Sequence, residues 1–399
     1  MMKFLLSGGW GYGNLGDDAI MIASIHLLHK EFPMSCVSLI TNMPEEACPV
    51  LINEPNIKVI ESIYRKLYPD HRFKNHFKGF SVDVLFEKIK NKLASGKHKK
   101  KVDKFLSSPT EFIKQNYAII KPFEEVCKSA DIYVMSGGGY LNNWTEMAIV
   151  KYIEAYMANK NGLKCYMIGQ TIGPFFHQYS FKLTKSVCSF MNNICYRDIE
   201  SIKDTAAMDI SCVQEAIPDL ALSEEFDFLR KNQITIVPFK NNAIQNANVL
   251  VNNIKEIVNR LDKCKVVVTV SQLWYGPINL AVFIYSLLIS NNIIAELVIP
   301  KNIIELQKIL GESKLVISQN LHGLILAYRS HVPIVSLNAG RKFVSFMKMI
   351  NASDLIIEPE QIKDLKLSHL CLDALQRTEE NKIKLFNEKI TSTIKEMLN

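Results

Sequence analysis

A glycine-rich segment near the start of the chain is the first candidate for chemistry. Residues 7–18 read Ser-Gly-Gly-Trp-Gly-Tyr-Gly-Asn-Leu-Gly-Asp-Asp and lie between a short apolar strand and a helix. Glycines let the backbone turn tightly and bring N–H groups close to a ligand, and the start of a helix favours negative charge. The segment predicts a cradle for an anion or a sugar, with Asn14, Gly16 and Asp17 as contacts. Plain helix capping explains Asp17 and Asp18 equally well.

The same segment matches the dinucleotide fingerprint G-x-G-x-x-G through Gly11, Gly13 and Gly16. A nicotinamide dinucleotide site also needs an acidic residue at the end of the second strand to hold the ribose, and residues 39–42 contain none. Asp17 would moreover repel a pyrophosphate. An oxidoreductase is therefore disfavoured.

Two further glycine segments, residues 136–140 and 169–174, also follow predicted strands. Ligands in open α/β sheets bind outside the carboxyl ends of the strands, so the three segments predict one shared cleft between the two halves of the chain. The candidate ligand contacts in these two segments are Gly137, Gly138, Gly139 and Gln170.

Charged residues stand at other strand ends in the first half. Arg197 follows a predicted strand and precedes Asp198, a natural cap for the next helix. The planar fork of an arginine at the carboxyl edge of a sheet can pair with a carboxylate or phosphate, and a salt bridge is the alternative. Asp219, after Pro218, is either a turn residue or a contact for substrate hydroxyls.

The second half offers a histidine and two cations. His322 opens an apolar helix after a predicted strand, where it can exchange a proton, bind an anion or serve only as a structural hydrogen-bonding group. Arg341 and Lys342 follow the next strand and either grip a dianion or remain solvated. No Walker loop, nucleophile elbow or metal-binding motif is present, so we predict no catalytic metal and no bound cofactor.

Alternation of short β-branched runs with helix-length segments predicts an α/β fold with parallel sheets covered by helices. A length of 399 residues indicates two domains. The turn signal Pro218-Asp219, followed by a polar stretch and a new apolar strand, places the boundary between residues 1–222 and 223–399. The predicted strands are Lys3–Leu6, Cys36–Ile40, Ile132–Met135, Cys165–Ile168, Ile194–Tyr196, Ile234–Pro238, Val266–Val270, Ala295–Ile299, Leu315–Ser318, Ile334–Leu337 and Leu355–Ile357.

A segment at about residues 63–116 departs from this alternation and predicts a helical insert in the first domain. It carries many lysines, from Lys88 to Lys104, interleaved with apolar residues such as Val84 and Ile89 at helical spacing. Its basic face is either solvated or in contact with anionic lipid or an anionic acceptor.

Composition and charge narrow the class of protein. The longest apolar stretch, Leu280–Ile289, is shorter than the roughly 18 residues that cross a bilayer. Nine cysteines without a C-x-x-C pair suit reduced thiols, and the first residues predict a strand and no secretory signal. We expect a cytoplasmic protein, with contact at the inner membrane face left open. A net charge of +7 is mild, so nucleic acid is not an expected partner.

Taken in order along the chain, these motifs resemble those of the polysaccharide pyruvyl transferase family. The resemblance implies two Rossmann-like domains similar to those of GT-B glycosyltransferases. It also implies that phosphoenolpyruvate, as co-substrate, donates a pyruvyl group to two sugar hydroxyls as a ketal, in the synthesis of bacterial surface polysaccharide, with a sugar or lipid-linked saccharide as acceptor. The matching elements are Gly13–Asp17, Gly137–Gly139, Gly169 and Gln170, Gly173 and Pro174, Arg197 and Asp198 with Ser201, Asp219, Leu321 and His322, and Lys342.

One position departs from the family pattern. The residue before Leu321 is Asn320, where the family has an arginine associated, with the histidine, with holding the donor. An asparagine has no cationic fork, and Arg341 is the nearest candidate to compensate. The alternatives are a GT-B glycosyltransferase that uses a nucleotide sugar, or a catalytically decayed scaffold of the same fold.

The chemistry expected of these residues follows from the donor. Phosphoenolpyruvate needs cations for its phosphate and carboxylate, an acid for its methylene carbon and a base for the incoming hydroxyl. Arg197, Arg341 and Lys342 are the expected cations, His322 is the acid or an anion contact, and Asp17 or Asp219 orients or deprotonates acceptor hydroxyls.

Overall fold

The computed structural model describes residues 1–51, 54–68, 100, 102–239, 247–377 and 381–398. Contacts divide the chain into two compact units. The first comprises Met1–Tyr12, Ile20–Leu220 and Lys389–Asn399, and the second comprises Gly13–Ala19 and Ala221–Glu388. The sequence predicted a single boundary after residue 222. The division by contacts also assigns part of the first glycine segment to the second unit, and the C-terminal residues to the first unit.

The first unit is built on a seven-stranded parallel sheet of order β3-β2-β1-β4-β5-β6-β7. The order of the strands reverses between β1 and β4, which is the point where such sheets bind ligands. Both faces of the sheet are covered, and the strands accordingly consist mostly of apolar residues. The strands are β1 Lys3–Ser7, β2 Cys36–Thr41, β3 Ile57–Glu61, β4 Ile132–Leu141, β5 Lys164–Ile172, β6 Asn193–Tyr196 and β7 Val213–Ala216.

Helices connect these strands and bury their apolar faces against the sheet. The largest contribution comes from the helix that follows β4, of which Ile149, Val150 and Ile153 are fully buried. The helices are α1 Leu15–Glu31, α2 Pro44–Val50, α3 Ile63–Leu67, α4 Pro109–Gln115, α5 Tyr117–Cys127, α6 Thr145–Lys160, α7 Gln178–Cys188 and α8 Ile199–Thr205.

The second unit has a five-stranded parallel sheet of order β10-β9-β8-β11-β12, whose reversal lies between β8 and β11. Its strands are β8 Gln233–Val237, β9 Lys265–Thr269, β10 Ala295–Val298, β11 Leu315–Ser318 and β12 Ile334–Ser336. Its helices are α9 Ala247–Arg260, α10 Tyr275–Ser290, α11 Ile303–Gly311, α12 Leu321–Tyr328, α13 Arg341–Met349, α14 Lys366–Gln376 and α15 Ile383–Leu398, the last of which ends in residues of the first unit.

The predicted fold class, α/β with two Rossmann-like units, is confirmed. The sequence prediction missed β3 and β7, which are the edge strands of the first sheet and are only partly buried, so their patterns are less apolar. The strand predicted at Leu355–Ile357 was wrong. Residues Ser353–Leu355 form a 3₁₀ turn, and a single bridge joins Ile356 to Ser336.

The prediction that the second and third glycine segments follow their strands was also wrong, except for Gly173 and Pro174, which do follow β5. Gly137–Gly139 lie inside β4, and Gly169 and Gln170 lie inside β5. The two strands continue to pair as far as Leu141 and Ile172, with one irregularity between Gly138 and Leu141. A second irregularity lies in the pairing of β5 with β6, between Ile168 and Gln170. Gly138 and Gly169 have φ of +123° and +68°, a conformation that glycine adopts readily. At each irregularity one strand has one residue more than its neighbour, which is a β-bulge.

Most of the lysine-rich segment, residues 69–99 and 101, lies outside the described residues. Within the part of that segment that the structure describes, α3, residues 102–107 and α4 are helical, and Lys104 is exposed. None of the helices in the described part of the chain is both long and apolar enough to span a membrane.

Candidate functional site

In the first unit, the glycines that follow β1 allow two aromatic rings to pack beneath the backbone. A Cβ atom at Gly8 would lie 2.1 Å from the ring of Trp10, and one at Gly9 would lie 2.6 Å from the ring of Tyr140. The indole N–H of Trp10 donates to the Ile40 carbonyl at 2.7 Å, so its ring is fixed. These two glycines are therefore required for packing at the carboxyl edge of the sheet.

Gln170 fixes the bulged end of β4. Its side chain is fully buried, and its Nε2 donates to the Ser136 carbonyl and, at 2.5 Å, to the Tyr140 hydroxyl. That hydroxyl in turn donates to the Ser136 carbonyl at 2.6 Å. The predicted substrate contact Gln170 thus holds the neighbouring glycine strand in place.

The structure brings Arg197 and Asp219 together. The Nη1 of Arg197 donates to Oδ2 of Asp219 at 2.8 Å, and its Nε donates to the Thr171 hydroxyl at 2.8 Å. The two charged side chains are only 8% and 2% exposed. The two hydrogen bonds hold the guanidinium in one orientation. Removing one partner of such a buried pair leaves an uncompensated charge.

Asp198 caps α8, as predicted. Its Oδ1 accepts from the backbone N–H and the hydroxyl of Ser201 at 2.7 and 2.9 Å. The other carboxylate oxygen accepts from Thr171 at 3.0 Å. Arg197, Asp198 and Asp219 therefore belong to one network that Thr171 links at the end of β5.

In the second unit, the segment Gly13–Ala19 pairs with the residues that follow β9. The N–H of Leu273 donates to the Gly13 carbonyl at 2.8 Å, and the N–H of Leu15 donates to the Ser271 carbonyl at 3.0 Å. Asn14 and Gln272 are thereby placed opposite each other in an antiparallel bridge. The Nδ2 of Asn14 also donates to Oδ2 of Asp17 at 2.7 Å, which orients that carboxylate.

His322 lies directly against this segment. A Cβ atom at Gly16 would be 2.0 Å from Nδ1 of His322, so only a glycine leaves room for the imidazole. The histidine is 7% exposed and is the second residue of α12. The structure therefore unites two motifs that are about 300 residues apart in the sequence, Gly13–Asp17 and Asn320–His322.

Asn320 is the N-cap of α12. Its Oδ1 accepts from the backbone N–H groups of His322 and Gly323 at 3.0 and 3.3 Å. Its own N–H donates to the hydroxyl of Ser318 at 2.9 Å. The residue that replaces the family arginine thus orients the start of the helix that carries the histidine.

Arg341 and Lys342 are the first residues of α13, which follows β12. Because β12 is the neighbour of β11 in the sheet, these cations and His322 follow adjacent strands of the same unit. The turn before them is fixed by Asn338, whose Oδ1 accepts from the N–H of Gly340 at 2.9 Å.

Sequence reasoning missed two groups of polar residues. Residues Ser271–Trp274 follow β9 and contain neither a glycine nor a charged residue. Their position after a strand was the one available sign that they could contact a ligand. Lys151 and Glu154 form a buried ion pair of 3.0 Å inside the apolar helix α6. Two charges within an otherwise apolar helical stretch were the available signal.

The buried pair is linked to the end of β1. The Lys151 ammonium donates to Ser7 Oγ at 2.5 Å, and the hydroxyls of Ser7 and Tyr133 donate to Glu154 at 2.7 and 3.0 Å. Burial lowers the pKa of Lys151, and the negative charge of Glu154 opposes that effect. Among the described residues, no group of three or more His, Cys, Asp or Glu side chains is arranged to hold a metal ion.

Two Rossmann-like parallel sheets, each with polar residues at its carboxyl edge, define a protein of the GT-B fold class. Solved structures of UDP-GlcNAc 2-epimerases share this fold. The enzyme of Methanocaldococcus jannaschii has a TM-score of 0.61 at 11% identity, covering 100% of this chain and 99% of that one. The enzyme of Neisseria meningitidis, bound to UDP-GlcNAc, has 0.55 at 12%, covering 100% and 99%. That of Rickettsia bellii has 0.55 at 11%, covering 100% and 96%.

The family is established by sequence. The profile of the polysaccharide pyruvyl transferase family matches residues 14–340, a stretch that begins at Asn14 and includes His322. The chain belongs to this family of transferases, which confirms the resemblance identified from the motifs. Comparison with curated proteins gives no match.

Proposed function

We propose that the protein transfers the pyruvyl group of phosphoenolpyruvate to two hydroxyls of a sugar. The observation that carries the proposal is the packing of His322 against Gly16, which joins two motifs of the matched family within one unit. The acceptor is a sugar or a lipid-linked saccharide of a bacterial surface polysaccharide, and the reaction takes place in the cytoplasm.

The reaction balances without a redox partner. A proton is added to the methylene carbon of the donor, which becomes the methyl group of the product. One sugar hydroxyl adds to the neighbouring carbon, and phosphate leaves with the electron pair of its C–O bond. A second hydroxyl adds to the same carbon, and the products are a pyruvate ketal and inorganic phosphate. Of the two hydroxyl protons released, one balances the proton added to the methylene carbon and the other ends on the phosphate.

His322 is proposed as the proton donor or as a contact for the donor's anionic groups. A histidine carries out proton transfer near neutral pH when its ring is held in one place. Gly16 leaves no room for a larger side chain beside the ring, and the Asn320 cap fixes the helix that carries it. These contacts favour a preorganised imidazole.

The positive charge for the donor is assigned to Arg341 and Lys342. The side-chain oxygen of Asn320 is engaged by two backbone N–H groups, and a neutral amide cannot supply the fork of the family arginine. Because Arg341 and Lys342 follow the strand next to β11, they are the proposed replacements for the missing cation.

In the first unit, Arg197 is the proposed cation and Asp219 a hydroxyl contact. The 2.8 Å pair between them offsets much of the arginine's charge, so an anion that binds there must compete with the Asp219 carboxylate. Asp17 in the second unit is the proposed base for acceptor hydroxyls, since Asn14 orients its carboxylate.

Binding and turnover measurements test the proposal. A ligand that binds only the folded protein raises its melting temperature, so phosphoenolpyruvate should raise it and UDP-GlcNAc should not. Phosphate release should require phosphoenolpyruvate and a saccharide together, and His322→Ala should abolish it. A shift with UDP-GlcNAc alone would instead favour a nucleotide-sugar glycosyltransferase.

The scaffold alternative predicts a different result in cells. If the site is decayed, His322→Ala should leave the synthesis of surface polysaccharide intact when it replaces the wild-type gene. We expect polysaccharide pyruvylation to be lost, with the variant protein present at the wild-type level.

A further inference from the structure

Asn14 and Gln272 present their side chains on the same side of the bridge that joins them. The bonds Leu273 N to Gly13 O and Leu15 N to Ser271 O flank the pair, so Asn14 and Gln272 are a non-hydrogen-bonded antiparallel pair. In such pairs the side chains lie close together, with Cβ atoms about 4.5–5.5 Å apart.

Each of these side chains has an oxygen without a hydrogen-bond donor among the described residues, Oδ1 of Asn14 and Oε1 of Gln272. Gln272 is 8% exposed, so water does not readily satisfy it. Native proteins leave few buried polar atoms unpaired, and a ligand is one of the explanations for those that remain. Two such oxygens side by side indicate a ligand that donates hydrogen bonds.

The chemistry of the cluster distinguishes between the two substrates. Asn14 also holds the Asp17 carboxylate at 2.7 Å, so the cluster presents three groups with acceptor oxygens. Fully ionised phosphoenolpyruvate has no hydrogen-bond donor and is repelled by a carboxylate. A sugar has several hydroxyl donors, and the partly exposed indole of Trp274, which packs against Gly13, offers an apolar surface for a sugar ring.

We propose that Asn14, Asp17 and Gln272 form a hydroxyl-binding subsite for the acceptor saccharide, and that Gln272 is a direct contact. The assignment to an acceptor rests on the proposed pyruvyl transfer, whereas saccharide binding by itself does not. The subsite places the acceptor hydroxyls next to the carboxylate that is proposed to deprotonate them.

The test measures saccharide binding without phosphoenolpyruvate. The p-nitrophenyl β-galactoside, β-glucoside and β-mannoside are titrated calorimetrically into the full-length wild type, Gln272→Met and Gln307→Met. Gln307 is the matched control because it is also a buried glutamine, but its amide bonds to Leu326 and Ser330 and its oxygen accepts from Arg329. The exposed Gln178→Met replaces it if that variant does not fold.

At least one glycoside should bind the wild type. Gln272→Met should bind it roughly three- to tenfold more weakly, the loss expected for one neutral hydrogen bond. Its melting temperature should stay the same or rise, since methionine removes an unpaired polar atom. Gln307→Met should melt earlier and bind the glycoside normally.

The proposal is overturned if none of the three glycosides binds the wild type, if Gln272→Met binds them unchanged, or if it weakens phosphoenolpyruvate binding and not glycoside binding. Phosphate release is assayed separately. Glycoside binding that depends on Gln272, in a protein that releases no phosphate from phosphoenolpyruvate, would leave the subsite standing and reject the proposed transfer.

Discussion

Replacing Gly16 by alanine should disable His322 while leaving the protein folded. The added Cβ would lie 2.0 Å from Nδ1 of the histidine, 2.2 Å from its Cγ and 2.6 Å from its Cβ. Rotation of the imidazole cannot relieve all three contacts because the Cβ atom is close to the backbone. Since ordinary contacts begin at 3.4 Å, the histidine must be displaced by about 1.4 Å.

The expected effects on activity and stability differ in size. Misplacement of a catalytic group by about 1 Å can cost roughly 10²-fold in rate, so kcat/KM for phosphoenolpyruvate should fall by about that factor. Overpacking costs about 1–3 kcal/mol, and alanine returns up to about 1 kcal/mol of helix propensity. The free energy of unfolding should therefore fall by no more than about 3 kcal/mol.

Gly276→Ala is the matched control, because Gly276 lies in the first turn of α10 and a Cβ atom there meets no atom within 4 Å. Phosphate release and thermal unfolding are measured for both variants. Wild-type kcat/KM in a folded Gly16→Ala protein would refute the idea that the glycine positions a functional histidine.

Four further results follow from contacts within the individual units. Lys151→Met should lower the free energy of unfolding by about 3–5 kcal/mol in a denaturant titration, because it strands the buried Glu154 carboxylate, and Lys151→Met combined with Glu154→Leu should cost less than that single change. Folding lowers the pKa of Lys151 from 10.5, so between the lowered pKa and 10.5 the folded state binds fewer protons than the unfolded state. The stability of the wild type relative to the double variant should therefore increase as the pH rises through this range. A decrease over the same range would contradict the assignment. Asn320→Ala should cost about 0.5–2 kcal/mol through loss of the helix cap, and an unchanged melting temperature would show that the cap contributes nothing. Arg197→Met should destabilise the protein more than Arg197→Met combined with Asp219→Leu, which a double-mutant cycle of unfolding free energies checks.

The sheets were largely predictable because their central strands are buried on both faces. Runs such as Val266–Val270 are apolar throughout and stand out from the helices around them. The edge strand Val213–Ala216 contains Gln214 and Glu215, so it lacks this signal. The glycines of β4 were misinterpreted because a bulge inside a strand and a turn after it require the same residue type.

The candidate site was predictable only in part. A glycine, histidine or arginine at the end of a predicted strand is recognisable from its residue type and position. This signal identified Gly16, His322 and Arg197. Gln272 became a candidate only through its pairing with Asn14, more than 250 residues earlier. Hydrophobic periodicity does not predict such a long-range contact. The capping role of Asn320 likewise depends on where the helix begins.

The most direct test of the proposed function is to follow both products of one reaction. The protein is incubated with isotope-labelled phosphoenolpyruvate and a p-nitrophenyl hexoside that binds it, and phosphate and the labelled carbons are measured by NMR. We predict equal amounts of inorganic phosphate and of a hexoside carrying a labelled pyruvate ketal, with neither product formed by His322→Ala. Intact phosphoenolpyruvate beside bound but unmodified hexoside would contradict the proposed transfer.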